Sequence, residues 1–261
     1  MRQFLLRLLL LLLAVVVIFG VYRLLTIRPL DNVAFFQDQP LLLAVDSGSA
    51  GQTLADFATA HAAGANALYL PVVLTRDGML VVTDSAVAEL TLAELRSVDA
   101  FSSIVTLQEA LAAYPDLRAV VVVQQPSLQA LAALLQAIDA NNARPRVLAV
   151  VDHPLLADTL REQAPDLGTA ATTAETNAFL TTKRFRLTPF YRPAAPAMVL
   201  VGSEINKRLV DAARSRGIHL LAFAGQSSAA TVQALINAGV DGVIVTDPAL
   251  IGQLSWPDQA P

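Results

Sequence analysis

Five side chains able to do acid–base or metal chemistry fall at or just past the ends of runs that read as β-strands. They are Asp46, Asp84, Asp152, His153 and Asp247. Gathered on one face, an Asp–His–Asp group could pass protons or hold a divalent cation: imidazole titrates near neutral pH and carboxylate oxygens suit hard cations. The same residue types have a plainer use. Aspartates in strand-to-helix turns accept hydrogen bonds from unpaired helix N–H groups, and Asp152-His153-Pro154 reads as a helix start with Pro154 near the first helical position. We take capping as the primary reading and a repurposed catalytic or ligand-contacting site as the alternative. His61 falls in a helical run and His219 at the start of a strand, both as structural residues. The chain has no cysteine, which excludes disulfides and thiolate metal sites.

The elements that must position these groups alternate in type. Apolar, β-type runs occupy residues 41–45, 67–72, 119–123, 147–151, 168–171, 198–201, 220–223 and 240–245, with residues 79–83 as a hairpin strand after the second. Helical patterns lie at 54–63, 106–114, 128–140, 155–163, 174–181, 204–216 and 229–238, with Thr53, Thr106, Ser127, Ser203 and Ser228 as candidate N-caps. Continuous runs such as the four valines at 120–123 suit strands buried on both faces. Eight such strands with crossover helices predict an α/β fold, a closed (β/α)8 TIM barrel, whose working face is the carboxyl end of the strands. A doubly wound open sheet is the alternative, and the glycine-rich phosphate turn that usually announces it is missing.

One N-terminal transmembrane helix is expected before the barrel. Residues 4–25 hold ten leucines and would span about 33 Å as a helix, against roughly 30 Å of hydrocarbon, with Arg7 and Arg23 near the ends. No small-x-small cleavage site follows the run, so an uncleaved anchor is favoured over a signal peptide. The predicted layout is an anchor at 1–27, a tether at 28–40, the barrel at 41–254 and a tail at 255–261. It implies a single-pass membrane protein with the barrel on the extracytoplasmic side. From residue 31 onward there are 14 basic and 22 acidic residues, a net −8 that argues against nucleic acid as a partner. One basic segment stands out: Lys183, Arg184 and Arg186 interleaved with Phe185, followed by Phe190, Tyr191 and Arg192. It could touch anionic lipid headgroups beside the anchor. A solvated turn is the alternative, and we take it first.

Residues 64–84, GANALYLPVVLTRDGMLVVTD, resemble the glycerophosphodiester phosphodiesterase family, whose members here read roughly GAD-x-IE-x-DV-x-x-TKDG-x-x-VV-x-HD. Further matches follow in order. LLAVDSGSAGQTLADF (42–57) resembles iAHRGg…ENTlaAF, and Leu92–Leu95 with Asp99 resembles TLxELxxLD. IVTLQEAL (104–111) resembles IPTLEEvL, and GVDGVIVTDP (239–248) resembles GVDGIITDxP. The resemblance implies a TIM barrel. It also implies a chemistry in which histidines shuttle protons, carboxylates hold a divalent cation such as Mg or Ca, and a lysine steadies the phosphate.

On those motifs the chemistry is absent from this chain. The HRG histidine falls on Asp46 and its arginine on Ser47; the ENT glutamate falls on Gly51. The metal-binding Glu and Asp fall on Tyr69 and Pro71, and the catalytic histidine on Thr83. The EIK ending falls on Val123-Gln124-Gln125, and WTVN on Phe223-Ala224-Gly225-Gln226. Of the polar set only Asp84 remains. The expectation is a family member without catalytic residues, metal ligands or cofactor, which binds a lipid-derived ligand or a protein partner near the membrane. The alternative is an active or repurposed phosphoric diester hydrolase releasing glycerol 3-phosphate.

Overall fold

A computed structural model describes residues 33–37, 42–45 and 52–255. The expected anchor at 1–27, Asp46 to Gly51, and the tail after Ser255 lie outside the described residues. No helix among the described residues is long and apolar enough to cross a membrane.

The strands are β1 (Leu42–Val45), β2 (Ala67–Leu74), β3 (Leu80–Val82), β4 (Arg118–Val123), β5 (Val147–Val151), β6 (Gly168–Thr169), β7 (Ala197–Val201), β8 (His219–Gly225) and β9 (Gly242–Val245). The helices are α1 (Leu54–Ala62), α2 (Leu92–Arg96), α3 (Leu107–Ala113), α4 (Leu128–Ala140), α5 (Pro154–Gln163), α6 (Thr173–Arg184), α7 (Lys207–Arg214) and α8 (Ala229–Ala238). Parallel pairing runs β6-β5-β4-β2-β1-β9-β8-β7, and β3 pairs antiparallel with β2. A single parallel bridge between Ala170 and Ala197, with Ala171 N–H donating to the Ala197 carbonyl at 2.7 Å, links the two end strands and nearly closes the barrel. β6 is short because only two residues hold full register with β5.

Period-two alternation gives each strand two buried faces. Outward valines and leucines such as Leu68, Val121 and Val123 pack under helices, in one cluster with Leu131 and Leu134 of α4. Inward residues Ala44, Ala67, Val120, Leu148, Ala170, Ala197, Leu221 and Ile244 fill the barrel itself.

Helix starts follow the capping chemistry. Thr53, Thr91, Thr106 and Thr172 each close a reciprocal box with an acid three residues on: Asp56, Glu94, Glu109 and Glu175. Ser127 and Ser228 cap as expected, whereas Ser203 does not: residues Gly202–Glu204 form a 3-10 turn, and Asn206 caps α7 by accepting from Leu209 N–H. The helix predicted over 204–216 therefore starts three residues later, at Lys207. At its far end α8 stops at Gly239, whose φ of 90° is a left-handed cap that glycine adopts without a Cβ clash.

The floor of the barrel, at the amino ends of the strands, is plugged by residues assigned to the tether. The 3-10 turn Ala34–Phe36 buries Phe35 to 1% exposure. The Arg118 guanidinium, at the start of β4, lies 5.6 Å from the Phe35 ring centroid, and Phe36 stacks on His219, at the start of β8, with centroids 3.9 Å apart. Val33 packs beside Gly168, where an added Cβ would meet Val33 at 3.4 Å and the Val147 carbonyl at 3.2 Å. Burial pulls the Arg118 guanidinium down to about 10, so it stays charged at neutral pH. The packed body thus includes residues 33–36.

Candidate functional site at the barrel mouth

At the carboxyl ends of the strands, inward-facing side chains are largely apolar. Tyr69 of β2 and Phe223 of β8 meet inside the barrel with ring centroids 5.8 Å apart, and Val122, Val150 and Val199 are half-buried beside them. Pro71 is buried, and its carbonyl accepts from Thr83 N–H at 2.8 Å. Thr83 is fully buried, and its hydroxyl oxygen accepts from Ser85 N–H at 3.0 Å. The alternation in β4 corrects one placement from sequence. Val123 faces the helices, so the inward position at the end of β4 is Val122 rather than Val123, and Gln124 and Gln125 follow the strand as exposed residues. Neither Val122 nor Gln124 supplies a carboxylate or an amine.

The five residues singled out by type fare differently. Asp46 lies outside the described residues. Asp84 is exposed beyond β3. The Asp152 carboxylate accepts from Thr173 N–H and from the Thr173 hydroxyl, each at 2.7 Å, at the first turn of α6. His153 is the N-cap of α5, with Pro154 at the first helical position; its Nδ1 accepts from Leu156 N–H at 3.4 Å, a long and weak contact. Asp247 accepts from Ala249 N–H at 2.9 Å and caps the closing 3-10 turn Pro248–Gln253. Three of the five thus hold helix starts. Of the other histidines, His61 lies within α1 with Nδ1 3.2 Å from the Ala65 carbonyl. His219 sits on the floor with Nδ1 3.1 Å from Asp241 Oδ1.

A divalent cation needs several converging oxygen or nitrogen donors. Among the described residues no group of three His, Cys, Asp or Glu side chains is placed to hold one. The described donor set therefore does not fit the metal that the family resemblance implies.

Sequence reasoning missed the apolar rim. Leu128 at the start of α4 is 67% exposed, Leu155 at the start of α5 is 74% exposed and Val201 at the end of β7 is 56% exposed. The signal was present: Ser127-Leu128 and Pro154-Leu155 put a leucine just inside each cap, at the strand-to-helix turn.

A model of the glycerophosphoryl diester phosphodiesterase family matches residues 47–250. The chain belongs to that family. Solved glycerophosphodiester phosphodiesterase barrels share its fold at low identity. The phosphodiesterase domain of a Mycobacterium tuberculosis protein is 18% identical with a TM-score of 0.69, covering 83% of this chain and 99% of its own. A glycerophosphodiester phosphodiesterase from Agrobacterium tumefaciens is 14% identical with a TM-score of 0.67, covering 83% of this chain and 100% of its own. An Oleispira antarctica phosphodiesterase, solved with the product sn-glycerol-3-phosphate, is 18% identical with a TM-score of 0.65, covering 81% of this chain and 95% of its own. The search of curated proteins returned no match.

Proposed function

We propose that this chain is a glycerophosphodiester phosphodiesterase barrel that binds rather than cleaves, held near a membrane by its amino-terminal apolar segment. One observation carries the reading. The inward mouth positions are Tyr69, Pro71, Val122 and Phe223, and Thr83 stands where the family resemblance implies a catalytic histidine. Loss of acid–base groups costs roughly 10²–10⁴-fold in rate. Loss of the cation removes several kcal/mol more, of order, from a transition state that is almost wholly charge. Little turnover survives both. What the mouth offers instead is apolar surface: Leu128, Leu155 and Val201 are well exposed around half-buried valines and aromatics. Such a rim suits a lipid-derived ligand or a protein partner better than a free phosphodiester.

The repurposed-hydrolase alternative is weaker on the geometry. It would draw on Asp84, Asp152, His153 and Asp247, with Asp46, and the Asp152 and Asp247 carboxylates already accept backbone N–H bonds. The membrane part of the reading rests on residues 4–25, an apolar stretch with Arg7 and Arg23 near its ends and Arg2 and Arg28 outside it. On this account the protein is single-pass, with an extracytoplasmic barrel. Metal content of the purified full-length chain, after dialysis against Mg²⁺, Ca²⁺ or Mn²⁺, tests the binding-only reading. The expected result is no stoichiometric ion, and one tightly held ion per chain would overturn it.

A further inference from the structure

The connection from α6 to β7 lies on the floor, because helices of the barrel run from mouth to floor and Ala197 opens the next strand there. The last turn of α6 and this connection carry four cations, Lys183, Arg184, Arg186 and Arg192, of which all but half-buried Lys183 are exposed. Between Glu175 and Glu204 the sequence has no acidic residue, although the domain as a whole carries an acidic excess. None of the four makes a salt bridge among the described residues. Three large apolar side chains stand among them: Phe185 is 66%, Leu187 49% and Phe190 39% exposed. Tyr191 does not belong to this surface. Its ring packs on fully buried Phe179 at 5.2 Å and its hydroxyl donates to the Glu175 carbonyl at 3.2 Å, which pins the connection to the barrel while Phe190 faces out.

The chain enters the described structure on this same floor, at Val33, eight residues after the apolar stretch ends at Leu25. Eight extended residues reach at most about 26–29 Å, so an inserted anchor holds the floor within that distance of the lipid surface. Cations beside exposed aromatic and aliphatic groups match that surface: the charges meet anionic headgroups and the apolar tips enter the interface.

From this placement we infer that the floor connection at residues 183–192 is a second membrane contact, docking the barrel on anionic phospholipid. The inference rests on the anchor reading above. It fixes an orientation: the floor faces the bilayer and the apolar mouth faces away from it. The mouth's occupant then approaches from solution, which favours a soluble partner over a lipid still in the bilayer.

The test uses the full chain, which has no native cysteine. Leu187→Cys carries an environment-sensitive dye, and Leu155→Cys at the mouth carries the same dye as control. Each is reconstituted with vesicles of phosphatidylcholine alone or mixed with phosphatidylserine, doped with headgroup-level quencher lipid. Quenching is expected at position 187 only, stronger on phosphatidylserine. It should fall severalfold in about 1 M salt, where the Debye length is roughly 3 Å, and on replacing Lys183, Arg184, Arg186 and Arg192 with Gln. If the chain floats with vesicles yet position 187 stays unquenched, or is quenched equally on neutral lipid, the docking inference fails and the anchor stands. If the chain does not float at all, the anchor reading fails with it.

Discussion

The Asp152 carboxylate grips Thr173 twice, taking its backbone N–H at 2.7 Å and its hydroxyl at 2.7 Å, and so fastens the loop after β5 to the start of α6. An acid at a helix amino end also meets the positive end of the helix dipole. Both carboxylate oxygens of this mouth aspartate are engaged in holding the loop. Asp152→Ala should therefore lower stability by about 1–2 kcal/mol in urea denaturation. A variant as stable as the parent, but altered in ligand binding or metal uptake, would return Asp152 to the functional set.

Neighbouring Glu175 gives the fold a pH dependence of definite sign. Burial pushes its carboxyl up, but the Arg161 fork, at 2.6 and 3.0 Å, and Thr172 N–H at 2.7 Å more than offset this, leaving it below its ordinary 4.5. A carboxyl depressed in the folded state stabilises the fold above its unfolded pKa, and this contribution is lost as pH falls through the folded value. The melting temperature should hold near neutrality and drop once pH goes below about 4.5. Glu175→Gln should flatten that drop without removing it, since Asp77 and Glu109 are held low by similar bonds. An unchanged acid slope in the variant would contradict the assignment.

The floor plug makes a larger prediction. Phe35 is almost wholly buried and lies against the Arg118 guanidinium, so its loss opens a cavity and removes the aromatic face from a buried cation. Phe35→Ala should cost about 3–5 kcal/mol. Denaturant titration of the full chain reads this directly. A cost under about 1 kcal/mol, the scale of ordinary surface substitutions, would mean the 33–36 segment only rests on the barrel.

The barrel was legible because its strands read as apolar runs at regular spacing. The four valines at 120–123 and the run at 147–151 fall where β4 and β5 stand. Short helices were harder. α2 has five residues, too few to show a period, yet its N-cap Thr91 closes the same box with Glu94 that Thr106, a candidate cap from sequence, closes with Glu109. Ser203 misled because a serine before a helical run has the right chemistry wherever the turn begins; the 3-10 turn shifted the start to Asn206. The plug was not legible: Ala34-Phe35-Phe36 is three residues long, and its burial depends on meeting Arg118 and His219, far along the chain. At the mouth, the family resemblance located the positions to compare, such as Tyr69, Pro71 and Thr83. It could not tell that Asp152 answers to Thr173 across the next loop, a partner 21 residues away.

Under the proposed reading, this barrel of the glycerophosphodiester phosphodiesterase family carries no hydrolytic chemistry at its mouth. Incubation of the full-length protein with glycerophosphocholine and glycerophosphoethanolamine, in Mg²⁺, Ca²⁺ or Mn²⁺, with glycerol 3-phosphate measured against a buffer blank, tests it most directly. The account predicts release indistinguishable from the blank with every ion. Metal-dependent, repeated turnover that is lost on chelation would contradict it.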